Sequence, residues 1–451
     1  MSTLTEERAV RAKAADRELL GLAVPAFLAL IAEPLFLLGD AAVIGHLGTR
    51  QLAGFGIAGT VLQTVVGLCI FLAYGTTASV ARRLGAGERD AALRQGIDGL
   101  WLAVLIGVPT SVVVAAGAPA LIAAFGAGAD IAGPGTTYLR IAAAGTTPLL
   151  VSLAATGVLR GLQDTRTPLA VAVAANAANL ALNVALVFGL GPLPHLGVAG
   201  SALGSVVAQL GAAAVLAGVV ARAARREGAG LRPDLPGIRA AGRAGVPLLV
   251  RTLTLRASLL VTTYAVVRTA AGSPTPVATH QLAMTIWGFL AFALDAIAIA
   301  AQAIVGRSLG AGDAVATRVA TARMVRWGVG SGIVTGVALA AASPWLGALF
   351  TPDPSVRRAL VPVLLVAALL QPAAGVVFVL DGVLIGAGDG RYLAAAGLVV
   401  LGGYAPLVLV TGATSAALPW IWAVFGVVFM GGRLVTLLHR ARGDAWLVVG
   451  A

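Results

Sequence analysis

Gly157-Val158-Leu159-Arg160-Gly161, followed by Asp164 and Arg166, returns about 225 residues later as Gly382-Val383-Leu384-Ile385-Gly386, followed by Asp389 and Arg391. A second motif, Leu84-Gly85-Ala86-Gly87, returns at the same offset as Leu309-Gly310-Ala311-Gly312. Two independent motifs at one spacing indicate a duplicated unit that occupies about half of the chain.

The amino-acid composition places this duplicated unit in a lipid bilayer. Apolar residues make up 59% of the 451 residues and charged residues only 11%, whereas soluble proteins average about 45–50% and about 25%. A spanning helix needs about 20 mostly apolar residues, and the strand alternation of membrane barrels does not occur. We predict an all-α integral membrane protein with twelve transmembrane helices in two pseudo-symmetric six-helix bundles. The predicted spans are centred near residues 31, 63, 105, 142, 178, 209, 257, 290, 330, 370, 401 and 426.

The basic residues indicate how these helices are oriented. The two tails and the connections after every second span hold 24 of the 31 Lys and Arg residues, so the positive-inside rule places both termini in the cytoplasm. The net charge of +12 is then an orientation signal and a contact for anionic lipids, and we expect no nucleic-acid partner. We expect a multi-pass protein of a plasma membrane, in a bacterium.

The longest polar interruption lies between the two halves and leaves six spans on each side. Both halves then share one orientation, which is a parallel repeat about an axis along the membrane normal. Repeats of this kind are typical of transporters that work by alternating access. Twelve spans suffice for one carrier, so we expect a monomer. The predicted segments are a cytoplasmic tail 1–18, an N-lobe 19–221, a cytoplasmic linker 222–243, a C-lobe 244–438 and a cytoplasmic tail 439–451.

Neither cysteine nor histidine predicts a cofactor or a metal site. Cys69 has no second cysteine with which to form a disulfide, and the four histidines lack the spacing of metal ligands. No histidine inside a span accompanies a serine or aspartate as a nucleophile and base would. A membrane-embedded enzyme is therefore only a remote alternative.

Several segments resemble the multidrug and toxic compound extrusion (MATE) family. In the first span these are Ala32-Glu33-Pro34-Leu35-Phe36-Leu37-Leu38-Gly39-Asp40 and Ile44-Gly45-His46-Leu47-Gly48-Thr49, and both repeated motifs are similar to the same family. Residues 294–306 and 380–386 resemble its DinF branch. The resemblance implies two six-helix bundles and an antiporter that expels organic, cationic or amphipathic compounds, driven by a proton or sodium gradient.

One departure from the family bears on the coupling ion. The resemblance to the NorM branch would imply acidic, sodium-linked residues in the seventh and tenth spans, but Arg251 and Arg256 occupy the seventh and Ala374 stands at the expected tenth-span position. We therefore favour coupling to protons, through the first half, over coupling to sodium.

Two carboxylates in the first span are the predicted coupling residues, Asp40 first and Glu33 second. Seven residues apart, they fall within about 20° of each other on one helix face. A charge inside the membrane costs about 2.5–3.5 kcal/mol on insertion scales, so each should face a cavity or a partner. The resemblance places the family's first-helix aspartate at Asp40. Pairing with a helix end or an arginine, with a role in packing alone, is the alternative.

Three amides in the fifth span predict a polar stripe near these carboxylates. Asn176, Asn179 and Asn183 are spaced three and four residues apart, which places them on one helix face. They could hydrogen-bond Asp40 or simply join helices. The resemblance implies an aspartate where Asn183 stands, so this chain has one carboxylate fewer there.

The remaining predictions concern the second half and the substrate. Two cations and two anions could form a charge network there: Arg251, Arg256, Asp295 and Asp381. Pro25 and Pro34 could bend the first span around its carboxylates. Soft or aromatic side chains could contact a flat cation, although ordinary helix packing is the better explanation of each alone: Phe36, Tyr74, Tyr264, Met284 and Trp287.

The predicted function is export of an organic cationic or amphipathic compound in exchange for a proton. Competition between the two for the Asp40 lobe would make the exchange obligatory. A lipid or lipid-linked saccharide flippase of a related superfamily is the alternative, because arginines in a cavity would bind phosphate.

Overall fold

The computed structural model describes the backbone of residues 2–126, 128–270, 273–414 and 417–450, and within these ranges the side chains from residue 16 onward, except those of residues 33 and 36. All regular structure in these ranges is helical. The first half contains α1 Ser2–Gly45, α2 Thr49–Cys69, α3 Phe71–Gly85, α4 Arg89–Ala124, α5 Ala129–Ala143, α6 Thr146–Gly161, α7 Arg166–Phe188 and α8 Val198–Arg226. The second contains α9 Leu235–Thr269, α10 Pro274–Gly310, α11 Ala314–Phe350, α12 Pro354–Gly386, α13 Gly390–Ala413, α14 Leu418–Val424, a π-helical turn Phe425–Met430 and α15 Gly431–Arg442.

The helices have the length and composition to cross a membrane. Within the described ranges, eleven spans qualify, or twelve when α5 and α6 count as one span that is bent by 48°. That bent pair corresponds to the predicted span near residue 142. The predicted all-α membrane fold is confirmed.

The chain divides into two compact units whose boundaries differ from the predicted lobes. The N-unit is Leu28–Gly245, and the C-unit combines Met1–Phe27 with Val246–Ala451. The beginning of α1, which we predicted in the N-lobe from residue 19 onward, is part of the C-unit. Two ion pairs hold it there, one from Asp16 to Arg323 and one from Glu18 to Arg307. The predicted linker is also mostly helical, since α8 ends at Arg226 and α9 begins at Leu235.

The repeated Leu-Gly-Ala-Gly motif ends a helix in the same way in both units. Gly87 has φ of +80° and Gly312 has φ of +78°, a left-handed conformation that glycine adopts without a steric penalty. The next amides then bond back five residues, from Glu88 N to Arg83 O at 3.0 Å and from Asp313 N to Ser308 O at 3.1 Å. These bonds satisfy carbonyls that a helix end leaves unpaired.

The other repeated motif packs two helices closely in each unit. A Cβ atom on Gly157 in α6 would lie 2.5 Å from the carbonyl oxygen of Ala73 in α3. The equivalent atom on Gly382 in α12 would lie 2.4 Å from the carbonyl oxygen of Ala298 in α10. Small residues spaced four apart allow such an approach of two membrane helices. The duplication seen in the sequence is therefore a duplication of helix contacts.

Candidate functional site

The strongest candidate site lies in the N-unit around the carboxylate of Asp40. This side chain is only 1% exposed, near the C-terminal end of α1. Asn179 and Asn183, one turn apart on α7, both donate their side-chain N–H to the same carboxylate oxygen, Oδ1, with Asn179 at 2.7 Å. The spacing of four residues is what aims both amides at one atom.

A third helix completes the hydrogen bonding of this carboxylate. Ser205 in α8 donates its hydroxyl to Oδ2 of Asp40 at 3.4 Å, and the buried Tyr138 in α5 lies close to both. Sequence analysis did not identify Ser205 or Tyr138. Their only signal is a polar group within an apolar helix, and several hydroxyl residues in this chain share that signal while bonding only to their own helix, as Thr60 does.

A cavity of about 290 Å³ opens beside Asp40 inside the N-unit. Its wall is mostly apolar, with Phe55 and Tyr138 as aromatic surface. Neutral polar side chains from several helices complete the lining: Gln63, Thr146, Ser152, Thr156, Asn176, Ser205 and Gln209. Among the side chains that the structure describes, Asp40 is the only carboxylate in this lining. A mostly apolar pocket with a few converging polar groups is the usual form of a small-molecule site.

The partners of Asp40 are suited to a group that gains and loses a proton. The carboxylate accepts hydrogen bonds from two amides and a hydroxyl, and the side-chain oxygens of Asn179 and Asn183 have no hydrogen-bond partner among the described residues. A protonated carboxyl needs an acceptor for its O–H, and rotation of one amide would present such an oxygen. No lysine, arginine or histidine forms an ion pair with Asp40 within the described residues.

The other residues predicted for the N-lobe do not all have the contacts expected of them. Asn176 donates to the backbone oxygen of Ala32 in α1 at 3.0 Å, rather than to Asp40. Asn176 thus lines the cavity, while Asn179 and Asn183 hydrogen-bond the carboxylate of Asp40. Glu33 and Phe36 are in α1, but their side chains lie outside the described part of the structure. The helix runs past Pro25 and Pro34 without a break from Ser2 to Gly45, so the predicted bend stays a prediction.

A second charged cluster lies in the C-unit, where Arg251 of α9 meets Asp381 of α12. The guanidinium donates to both carboxylate oxygens, with Nε 3.0 Å from Oδ1. Arg433 of α15, which sequence analysis missed, lies 3.4 Å from Oδ2 of the same aspartate. The three side chains are only 9–12% exposed. The bidentate pair joins α9 to α12, and the contact with Arg433 adds α15 to them.

One residue of the predicted charge network, Arg256, has a different environment. Arg256 is exposed on α9, and no ion pair to it occurs within the described residues. Its position five residues after Arg251 points it to another face of the helix. Asp295 is half-buried on α10. The predicted network of four charges therefore has Arg251 and Asp381 as its established pair.

Of the residues predicted to contact substrate, Tyr74 lies in the N-unit, whereas Tyr264, Met284 and Trp287 lie in the C-unit. Tyr74 is buried in α3 and Tyr264 is exposed on α9. Trp287 packs edge-on against Phe425 with ring centroids 5.5 Å apart, and Met284 is half-buried on the same helix. Neither Tyr74 nor Tyr264 lines the cavity beside Asp40.

Comparison with known proteins places the chain among transporters. Residues 25–185 and residues 247–409 each match the MatE family profile, once in each half. Protein DETOXIFICATION 44, chloroplastic, of Arabidopsis thaliana is 32% identical over 95% of this chain and 83% of its own length. A probable multidrug resistance protein NorM of Bradyrhizobium diazoefficiens is 30% identical over 83% of this chain and 81% of its own length.

Solved structures share the fold. The Vibrio cholerae MATE transporter VcmN in the bent form has a TM-score of 0.86 and 20% identity, and the match covers 96% of this chain and 99% of that one. An outward-facing multidrug resistance MATE family transporter of the MOP superfamily also has a TM-score of 0.86, with 19% identity and 96% coverage of both chains.

Proposed function

This chain belongs to the MATE family of transporters, and from that membership we propose that it is a multidrug exporter that exchanges an organic cationic or amphipathic compound for a proton. The observation that carries the proposal is the buried carboxylate of Asp40 beside the cavity of the N-unit. Among the described side chains of the lining it is the one carboxylate, and the others are neutral polar or apolar. A buried charge without a cationic partner is expensive, so either a proton or a cationic substrate lowers the energy of this site.

Competition for one carboxylate supplies the coupling. When Asp40 is ionised, a substrate cation gains a Coulombic attraction that is strong in a cavity of low dielectric. When Asp40 is protonated, that attraction disappears, so uptake of a proton favours release of the substrate. Alternating access of this site to the two sides of the membrane then turns competition into exchange.

Protons are favoured over sodium because of how the amides are directed. A bound sodium ion needs several oxygen ligands, so both Asn179 and Asn183, which present nitrogen to Asp40, would have to rotate. A proton needs only one acceptor, which a single amide rotation would provide.

The flippase alternative rested on arginines that could bind a phosphate. Arg251 is occupied by a bidentate contact with Asp381, which leaves Arg256 as the exposed arginine of that pair. The described residues that line the cavity beside Asp40 include no arginine or lysine. The geometry therefore supports the exporter better. Membership in a transporter family also makes the chain a transporter and not an enzyme.

The test is transport of a fluorescent organic cation into proteoliposomes under an imposed pH gradient, with and without a sodium gradient. Wild-type protein should respond to the pH gradient, and Asp40→Asn, which keeps the shape and removes the titratable group, should lose at least nine-tenths of that response. Asp130→Asn is the matched control, because Asp130 lies in the same unit but in an exposed ion pair with Arg50.

Two outcomes would contradict the proposal. Full gradient-driven transport by folded Asp40→Asn would move the coupling to another residue. A wild-type response to the sodium gradient alone would exclude the proton as the driving ion.

A further inference from the structure

A groove of about 630 Å³ in the C-unit lies between residues 16–23 of α1 and residues 323–334 of α11, with Ile297 of α10 in its wall. One end is polar and is formed by Asp16, Arg323, Arg326 and Trp327. The rest is formed by small or apolar residues: Leu19, Leu20, Ala23, Ile297, Gly330, Ser331 and Val334. We propose that this groove binds one anionic phospholipid of the cytoplasmic leaflet, with its phosphate at Arg326 and an acyl chain along α11.

The charges at the polar end leave one guanidinium available. Asp16 accepts from Nε of Arg323 at 2.6 Å, forms a second contact with the same guanidinium, and accepts from the indole N–H of Trp327 at 2.8 Å. Asp16 and Arg323 thereby neutralise each other. Arg326 is exposed at the groove, and no ion pair to it occurs in the described part of the chain. The polar end is therefore positive and fits a phosphodiester.

The position of the groove matches one leaflet of a bilayer. The connection before α11 is among the basic ones that the charge distribution assigns to the cytoplasm. Arg323 and Val334 are eleven residues apart, which corresponds to about 16 Å along a helix. Half of the hydrocarbon core is about 15 Å thick. A headgroup held at the polar end would thus extend its chain to about the middle of the membrane.

The groove also opens on a surface that suits lipid. Val334 is 68% exposed, and the same side of α11 carries other exposed apolar residues, Val337 and Trp345. Such side chains in a spanning helix contact hydrocarbon. Gly330 widens the groove at its centre, since a Cβ there would meet no atom within 4 Å. Trp327 at the polar end is a residue type that is enriched at the membrane interface.

The experiment is native mass spectrometry of the purified full-length protein with dioleoyl phosphatidylglycerol, and in parallel with dioleoyl phosphatidylcholine. Arg326→Gln should reduce retention of phosphatidylglycerol about fivefold, which is the effect of one arginine near a charged membrane surface. Arg222→Gln is the matched control, because Arg222 is an exposed arginine at the predicted cytoplasmic end of α8. It should leave retention unchanged. Gly330→Phe should fill the groove and reduce retention of both lipids.

Three results would overturn the proposal: unchanged retention by Arg326→Gln, an equal loss in Arg222→Gln, or unchanged retention by Gly330→Phe. If a variant does not fold, photolabelling of the wild-type protein decides the matter. A phosphatidylglycerol with a photoreactive acyl chain should label the peptide that contains Ser331 and Val334. Labelling confined to other helices would refute the site.

Discussion

The contact between Arg251 and Asp381 allows a sharp comparison of two arginines on one helix. Both Arg251 and Arg256 lie in α9, five residues apart. The Arg251 side chain is only 11% exposed and is bidentate with Asp381, whereas Arg256 is exposed. We expect Arg251→Gln to destabilise the C-unit strongly and Arg256→Gln to have little effect, although both remove the same charge.

The magnitude follows from the contacts that are lost. Each hydrogen bond to a charged group contributes about 1.5–3 kcal/mol, and Arg251 donates two to Asp381. Removing one partner of a buried ion pair typically costs about 3–5 kcal/mol. Arg433 remains 3.4 Å from the carboxylate and offsets part of the loss. We therefore expect about 3 kcal/mol for Arg251→Gln and less than about 0.5 kcal/mol for Arg256→Gln.

The assay is thermal denaturation of the purified protein in detergent, followed by the loss of the monodisperse peak in size-exclusion chromatography. About 3 kcal/mol in a unit of this size corresponds to a decrease in Tm of about 6–12 °C. An equal decrease for the two variants, or no decrease for Arg251→Gln, would refute the view that the pair with Asp381 stabilises the C-unit.

Three further predictions rest on single contacts. Asn183→Ala removes a hydrogen bond to the Asp40 carboxylate and should reduce stability at pH 8 by about 1.5–3 kcal/mol. Asn176→Ala removes a hydrogen bond to a neutral carbonyl and should reduce stability by about 0.5–1.5 kcal/mol. The reverse order in thermal denaturation would contradict the assigned partners. Gly382→Ala should cost about 1–3 kcal/mol, because its Cβ would lie 2.4 Å from a carbonyl oxygen. Gly330→Ala meets open space in the middle of α11 and should leave the stability unchanged or raise it slightly, by helix propensity. Equal Tm values for the two variants would contradict the close packing of α12 on α10. Hydrogen bonds from the hydroxyl and backbone N–H of Ser355 lower the pKa of Asp353 at the start of α12. The charge of Asp353 therefore stabilises the fold above a pH of about 4, and this contribution is lost as the pH falls through the lowered pKa. The difference in Tm between wild type and Asp353→Asn should shrink toward pH 3, and a difference that grows in acid would contradict the expected sign.

The helical fold and the core of the candidate site were accessible from the sequence. Apolar length alone determines most spans. The four-residue spacing of Asn179 and Asn183 places two amides on one face, and the structure brings both to Asp40. Sequence periodicity does not say which neighbouring helix a polar residue meets. Ser205 could therefore not be selected, and the sequence did not distinguish Asn176 from its two neighbours.

Other features depend on tertiary contacts that no local pattern records. The first residues of α1 belong to the C-unit because of ion pairs with Arg307 and Arg323, about 300 residues away in the chain. Arg256 and Arg251 looked equivalent as charges in one apolar span, and only the direction of each side chain separates them. The break between α5 and α6 lies at Ala144 and Gly145, within a stretch whose hydropathy is continuous.

The π-helical turn Phe425–Met430 has a consequence for the length of the last span. A π-turn takes up one residue more than an α-helical turn, while each residue of an α-helix turns the chain by about 100°. Deletion of one residue inside this turn can therefore be absorbed by its return to an α-helix, and Arg433 would still point at Asp381. Between Gly431 and Arg433 the helix holds no extra residue, so deletion of one residue there would rotate the Arg433 side chain by about 100° relative to Asp381. Deletions of a single residue in this span should thus be tolerated better between residues 425 and 430 than between Gly431 and Arg433.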